Sequence, residues 1–308
     1  MIAVIGSTGN QGGSLINAVL AEGENSEWQI RAVTRDPTSE KAKALQSRGV
    51  EVVKANVFSP EELEKAFQGC YAAFCVTTLD FNNPSSETTQ AMNMASAAKN
   101  AGVKHILYST LDDTRKMLPE ITQIPTLCDK YKVPHFDAKS DGDKYFAELP
   151  TTYLLTSFFA ENFISFGLGP KRLPDGKLYL TIPMGDRKMP IIAIEDIGKC
   201  AFSILKNPND YINKRVGLAG DQLTVAEIAS KMAKAKGVEI NYQPVDWDSF
   251  RKFGFPGAEE IGNMFQFYHD CEEQFCASRN VSQSKRLNRD MLNFDKWLEL
   301  YSERIPIL

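Results

Sequence analysis

The sequence is poor in metal ligands. It has three histidines, at 105, 135 and 269, and its six cysteines include no C-x-x-C pair. Structural zinc sites draw on closely spaced Cys and His ligands. HDCEEQFC (269–276) brings His269, Cys271 and Cys276 near one another in sequence but supplies no fourth ligand at a usual spacing, so no metal is expected. The thiols read as reduced and structural, as in a cytoplasmic protein. No apolar run nears the roughly 18 to 20 residues that cross a bilayer, so no membrane association is expected. Met1 leads straight into the first short apolar stretch, without the basic and long apolar regions of a secretory signal. Basic runs of five or more are missing too. With 35 Lys and Arg against 39 Asp and Glu, the net charge is −4, so direct nucleic-acid binding is not expected.

What is present is an ordinary globular composition over 308 residues, 43% hydrophobic and 24% charged. That length means one large domain or two intimately joined ones, with enough core to need no staples. IAVI (2–5) is a continuous apolar run, as a buried parallel strand should be. Helical patterns then alternate with further short strands. A second helix, 39–49, is closed by Gly49, and SPEELEKAFQG (59–69) opens with Ser59, Pro60 and two acids. The rhythm continues through AAFCVT (72–77), a helix over 86–102 and VKHILYST (103–110). It predicts a Rossmann-type, doubly wound parallel sheet over 1–156, with parts of 188–220 returning to it. Residues 111–137 hold Pro119, Pro125 and Pro134 and no long periodic segment, and are expected to form a functional loop. A helix is expected over 138–148 and a strand at TTYLLT (151–156). Residues 157–308 read as a smaller α/β C-terminal lobe. There SFFAENFISFG is expected as helix and DGKLYLTIP as a hairpin-like strand. TVAEIASKMAKAKG (224–237) reads as an amphipathic helix with a Thr224–Glu227 capping box.

The opening turn, GSTGNQGG (6–13), spaces Gly6, Gly9 and Gly12 as G-x-x-G-x-x-G between a strand and a helix. Glycine lets the backbone turn tightly against a pyrophosphate, and the helix offers it free N–H groups and the positive end of its dipole. Strand two ends in AVTRDP, with Arg35 where an NAD site usually carries an acid. A guanidinium cannot accept ribose hydroxyl hydrogens, but it can grip a 2′-phosphate through two parallel bonds. The expected cofactor is therefore NADP(H), with Thr34 and Ser39 as further hydroxyl contacts. By their places at strand ends, Asn56 and Val57 are expected near the adenine. Thr77, Thr78 and Leu79 are expected along the middle of the cofactor.

Short-chain dehydrogenases pair a proton-donating tyrosine with a lysine four residues on. None of the ten tyrosines here has that lysine. Lys139 stands at the lysine's place in HFDAKSDGDKYF, opening the helix after the long loop, with His135 four residues before it. Ser109, at the end of strand five, holds the expected serine place. Three readings remain open: His135 is a general acid, Lys139 acts itself, or the catalytic pair is lost and Lys139 only binds ribose. The pattern favours the last. FFAENF (158–163) follows strand six, where Phe159 and the amide of Asn162 are placed to meet a nicotinamide and Phe158 belongs to the core.

These stretches, with GVEVVKANV, GCYAAFCVT, FGFPGAEEIGNMFQFY and FDKWLEL, resemble the NmrA-like family of atypical short-chain dehydrogenases over nearly the whole chain. The resemblance is to redox-sensor members in particular. It implies an NADP-binding domain, little or no dehydrogenase activity, and a shape and self-association (a homodimer) that answer the NADPH/NADP balance. It also implies regulatory protein partners and a location in cytoplasm and nucleus. The cofactor contacts it implies are Gly6, Ser7, Thr8, Gly9, Asn10 and Gln11; Arg35, Asp36, Pro37, Thr38 and Ser39; Asn56 and Val57; Thr77, Thr78 and Leu79; Lys139; and Phe159, Ala160, Glu161 and Asn162. Three positions depart from the pattern: Asn56 replaces an acid, Ser39 a second basic residue, and Thr89 a lysine. The preference for NADP therefore rests mainly on Arg35. Two alternatives stand beside the sensor. One is an NADPH-dependent reductase of a quinone or small carbonyl or enone compound, using Lys139 or His135. The other is a transcription co-regulator that binds a zinc-finger partner.

Overall fold

The computed structural model describes residues 1–23 and 26–307, and the chain divides into two units. The first comprises Met1–Asp112, His135–Leu155 and Ile194–Val216. The second comprises Asp113–Pro134, Thr156–Ala193 and Gly217–Leu308. The division thus interleaves along the chain.

In the first unit, strands β1 (Ile2–Ile5), β2 (Ile30–Thr34), β3 (Glu51–Lys54), β4 (Ala72–Val76), β5 (His105–Thr110) and β6 (Thr151–Leu155) form one sheet with Arg215–Gly217. Its order is Arg215–Gly217, β6, β5, β4, β1, β2, β3. β1 pairs in parallel with β2 (Ile2 opposite Ile30) and with β4 (Val4 opposite Phe74). The pairs β2–β3, β4–β5 and β5–β6 are parallel as well. Strand order therefore reverses at β1, and a crevice opens at the carboxyl ends of β1 and β4, the usual place of a ligand in such a sheet. The helices α1 (Asn10–Leu20), α2 (Glu40–Gln46), α3 (Pro60–Phe67) and α4 (Ser86–Asn100) complete the crossovers.

β1 is uniformly apolar because it is covered on both faces: Ile2, Ala3 and Val4 are fully buried. On one face it meets a core of Leu63, Phe67, Met94, Ile106, Tyr108 and Phe146. Burial of each large side chain there contributes about 1.5–3 kcal/mol. The Ser39 and Ser59 hydroxyls cap α2 and α3 by accepting from Ala42 N–H and Glu62 N–H.

The helix expected from 138 begins four residues earlier and runs Pro134–Phe146. Proline suits a helix's first turn because its missing N–H has no partner there anyway. His135 therefore lies in the first turn, and Lys139 one turn inside instead of at the opening. Residues 113–134 join the second unit, where the buried Asn263 donates to Pro125 O at 2.9 Å and Lys132 O at 2.6 Å.

The second unit holds two three-stranded sheets. One orders Asp221–Thr224, Lys188–Ile192 and Phe158–Phe159; the other orders Ile240–Tyr242, Leu178–Leu180 and Lys171–Arg172. The stretch expected as helix in SFFAENFISFG is instead the strand Phe158–Phe159 followed by the single turn Asn162–Ser165. Backbone pairing with Ile191 and Ile192 fixes the strand, while Phe158 packs on Phe163 and Phe265. Leu178–Leu180 forms the expected hairpin with Lys171–Arg172. The Thr224–Glu227 capping box is present on Val225–Lys236, which ends at Gly237 in the left-handed conformation. The FGFPGAEEIGNMFQFY stretch forms Ala258–Asp270, whose Phe265 and Phe267 are fully buried. All six cysteines are free. Among the described residues no helix is long and apolar enough to cross a membrane.

Candidate functional site

Chain direction builds the site at the head of α1. Gly6 follows β1 with φ +65°, and Gly9 N–H closes a turn onto Gly6 O at 2.9 Å. Gly12 is the tightest position. A Cβ there would sit 2.5 Å from Gly6 O and 3.0 Å from Ile5 O, so any side chain would drive the helix off the strand. α1 has no side-chain cap and no acid in its first turn. Its first N–H groups and dipole thus remain open to an anion.

A cleft of about 720 Å³ adjoins this turn. It brings together Gly6, Thr8, Gly9, Thr34, Arg35, Val57, Thr78 and Leu79, eight of the expected contacts. Phe58, Phe81 and Gln90 also line it and were not anticipated. Phe58 and Phe81 are 49% and 51% exposed, an unusual state for two phenylalanines beside one cleft. Phe58 follows β3 and Phe81 follows β4, and both offer faces to a planar base in the cleft.

Arg35 has no ion-pair partner among the described residues and lines the cleft. Lys41, on α2, extends its ammonium to Thr8 O at 3.4 Å, across the mouth of the glycine turn. It supplies a second cation two positions beyond Ser39. Sequence reasoning passed over it because a lone helix-surface lysine carries no motif. The other residues of the Asp36–Ser39 stretch shape the turn. Asp36 accepts from Thr38 N–H at 2.9 Å and from its hydroxyl at 2.5 Å, and these bonds hold its carboxyl below the ordinary range. Pro37 lies within that turn.

Several expected contacts have their side chains engaged elsewhere. The Ser7 hydroxyl donates to Val33 O at 2.9 Å, tying the glycine turn to β2. Gln11 Oε1 accepts from Ser109 at 2.8 Å, which links α1 to β5 and occupies the serine. Asn10 is exposed at the start of α1. Asn56 Oδ1 accepts from Phe58 N–H at 3.1 Å and so organises the turn after β3. Phe159, Ala160, Glu161 and Asn162 belong to the second unit. There Ala160 N–H donates to Ile192 O at 2.9 Å, and Glu161 accepts from Trp297 Nε1 at 3.1 Å.

Lys139 is the most informative residue. Its ammonium donates to Thr77 O at 3.1 Å, Thr77 Oγ1 at 2.8 Å and Glu87 Oε2 at 2.5 Å. An ammonium has three N–H donors, and all three are taken. Thr77 Oγ1 donates in turn to Glu87 Oε2. Glu87 is completely buried, and its Oε1 has no hydrogen-bond partner among the described residues. Next to it on α4, Gln90 fixes both sides of Thr78: its Oε1 accepts from the N–H and its Nε2 donates to the carbonyl, each at 2.9 Å. Glu87 and Gln90 were missed in the sequence. The signal was there, since they fall on the same helical face as the buried Ala91, Met94 and Ala98.

The Tyr108 hydroxyl donates to Lys139 O at 3.0 Å, and burial pushes its pKa well up. That phenol is a strut. Asp143, one turn beyond Lys139, is raised by burial and accepts from Thr110 and Arg215, both at 2.6 Å. His135 meets the edge of Phe136, with ring centroids 4.9 Å apart. Among the described residues no three His, Cys, Asp or Glu side chains gather to hold a metal.

A sheet in this order, with a glycine turn at its reversal and no Tyr–Lys pair, defines an atypical member of the dinucleotide-binding α/β proteins. The chain belongs to the NmrA-like family, whose sequence profile matches residues 1–299. It is 32% identical over 283 residues to the NmrA-like family domain-containing oxidoreductase FrzB of Cladobotryum sp., covering 87% of this chain and 83% of that protein. Its fold is shared with NmrA, a negative transcriptional regulator, in complex with NADP, at a TM-score of 0.77 and 21% identity, over 97% of this chain and 94% of the other. It is shared too with the NADPH-dependent quinone oxidoreductase QOR2 of Escherichia coli complexed with NADPH, at a TM-score of 0.76 and 22% identity, over 97% and 99%.

Proposed function

We propose that this protein is an NADP(H)-binding redox sensor that performs no dehydrogenase chemistry and acts through protein partners. One observation carries the reading: the lysine in the catalytic position has every donor engaged by Thr77 and Glu87, and no tyrosine stands four residues before it. Binding is supported by the Gly6–Gly12 cradle, the uncapped head of α1 and the unpaired Arg35. Arg35 with Lys41 favours a 2′-phosphate over a bare ribose. NmrA is known in complex with NADP and with NAD, and QOR2 in complex with NADPH, so the choice of NADP(H) rests on Arg35 and Lys41. When bound, the dinucleotide brings a nicotinamide ring that exists in two redox forms. The chain's own residues hold its phosphates and ribose. In this reading the bound form alters self-association and the distribution between cytoplasm and nucleus. Such a response requires different affinities for the two conformations.

The second reading is an NADPH-dependent reductase of a quinone or small carbonyl or enone compound, in which Lys139 or His135 delivers the proton. FrzB, a relative named as an oxidoreductase, favours it. NADPH absorbance followed against a panel of quinones, enones and aldehydes separates the two. The sensor binds NADPH and leaves it unoxidised above background. Sustained oxidation that disappears in Lys139→Met would overturn the sensor in favour of the reductase.

A further inference from the structure

We propose that the buried Glu87–Lys139 pair keeps the charge beside the nicotinamide balanced, so that losing either member tilts the site between oxidised and reduced dinucleotide. This rests on the NADP(H)-binding reading above. NADP⁺ and NADPH differ by one hydride, so the nicotinamide ring is cationic in one and neutral in the other. An unbalanced charge beside the ring therefore acts on one form and not on the other. In a sheet ordered 3-2-1-4-5-6 the pyrophosphate lies over the head of α1 and adenosine over β2 and β3, where Arg35 and Val57 stand. The nicotinamide half then falls on the β4–β5 side. Thr77 follows β4 directly and carries both partners of the pair.

The pair is built to hold a fixed charge balance there. Glu87 is wholly buried, and the Lys139 side chain is only 12% exposed. Water and salt therefore screen them weakly. The neighbouring charge, Asp143, is already answered by Arg215 at 2.6 Å. Ser109 and Gln11 add a neutral bond. With both members present, the wall has no net charge and favours neither ring form by charge. The free Oε1 of Glu87 leaves a carboxylate oxygen facing no donor, so the negative member is the less satisfied of the two. Removing either member leaves one unbalanced charge. An ammonium alone disfavours the cationic ring, and a carboxylate alone favours it.

The test measures dissociation constants for NADP⁺, NADPH and adenosine 2′,5′-bisphosphate, which lacks the nicotinamide half. Four proteins are compared: wild type, Glu87→Gln, Lys139→Met and the double variant. The ratio of the NADP⁺ constant to the NADPH constant should rise about tenfold in Glu87→Gln and fall about tenfold in Lys139→Met, the order of one charge acting through a polar wall. The double variant, again neutral, should return to within about threefold of wild type. Binding of adenosine 2′,5′-bisphosphate should stay constant throughout and reports the fold of each variant. If Lys139→Met no longer binds it, Glu87→Gln and the double variant still decide. A ratio unmoved in Glu87→Gln, or a double variant that shifts as far as that single one, overturns the inference while NADP(H) binding stands. A wild type that binds none of the three ligands overturns both.

Discussion

Lys139→Met offers the sharpest energetic test of the site. The substitution keeps the length of the side chain and removes its charge. Glu87 then retains one hydrogen bond, from Thr77, while its carboxylate remains fully buried with Oε1 unpartnered. Breaking a buried pair from one side costs about 3–5 kcal/mol, because it strands the other charge. The whole margin of a folded protein is only about 5–15 kcal/mol. With a urea slope of about 3 kcal/mol per molar for a unit of this size, the midpoint should fall by about 1 M or more. Glu87→Gln with Lys139→Met strands nothing, and a buried pair replaced whole is often close to neutral. The double variant should therefore recover to within about 1 kcal/mol of wild type. Circular dichroism during urea unfolding measures all of this. A loss below about 1 kcal/mol in Lys139→Met would refute the reasoning, since Glu87 could not then be a buried anion held by Lys139.

Three further outcomes follow from the same geometry. Gly12→Ala places a methyl 2.5 Å from a backbone oxygen, so it should cost about 1–3 kcal/mol of stability and weaken NADPH binding at least about tenfold, read by calorimetry. His105 is buried, which pulls its pKa down to about 4, and its Nε2 pairs with Thr152 Oγ1 at 2.8 Å. The unfolded chain takes up that proton first, so this contribution is complete above pH 6.5 and declines as pH falls toward 4. About 2 kcal/mol should be lost by pH 5, and His105→Gln should lack that part of the slope in urea titrations. Asn263→Leu removes the donor of Pro125 O and Lys132 O and the acceptor of Arg251 Nε. Unpaired buried groups cost about 1–3 kcal/mol each, so hydrogen exchange across 123–132 should speed up while the sheet of the first unit is unaffected.

The sheet was legible because buried parallel strands read as unbroken apolar runs, IAVI and AAFCV among them, and because Gly49, Gly102 and Gly237 close helices in the left-handed conformation. The glycine turn and Arg35 were legible because their residue types have few other reasons to stand at those two places. Other features depend on partners distant in sequence. Pro134 can break a helix or begin one, and only the structure shows that it begins one. FFAENF carries helical spacing, yet Ile191 and Ile192 recruit its phenylalanines into a strand. The engagement of Lys139 was not legible because Glu87 lies 52 residues earlier on another helix. Residues 111–137 read as one long loop because Asn263, which anchors Pro125 and Lys132 within them, lies more than a hundred residues away.

The most direct test of the central claim is calorimetric titration of wild-type protein and Arg35→Gln with NADPH and with NADH. Charge-assisted bonds to a phosphate are worth about 1.5–3 kcal/mol, or roughly 10- to 150-fold in affinity. Wild type should bind NADPH at least about tenfold more tightly than NADH, and Arg35→Gln should lose most of that difference with NADH binding unchanged. Equal affinity for the two in wild type, or no binding of either, would contradict the assignment of this cleft to NADP(H).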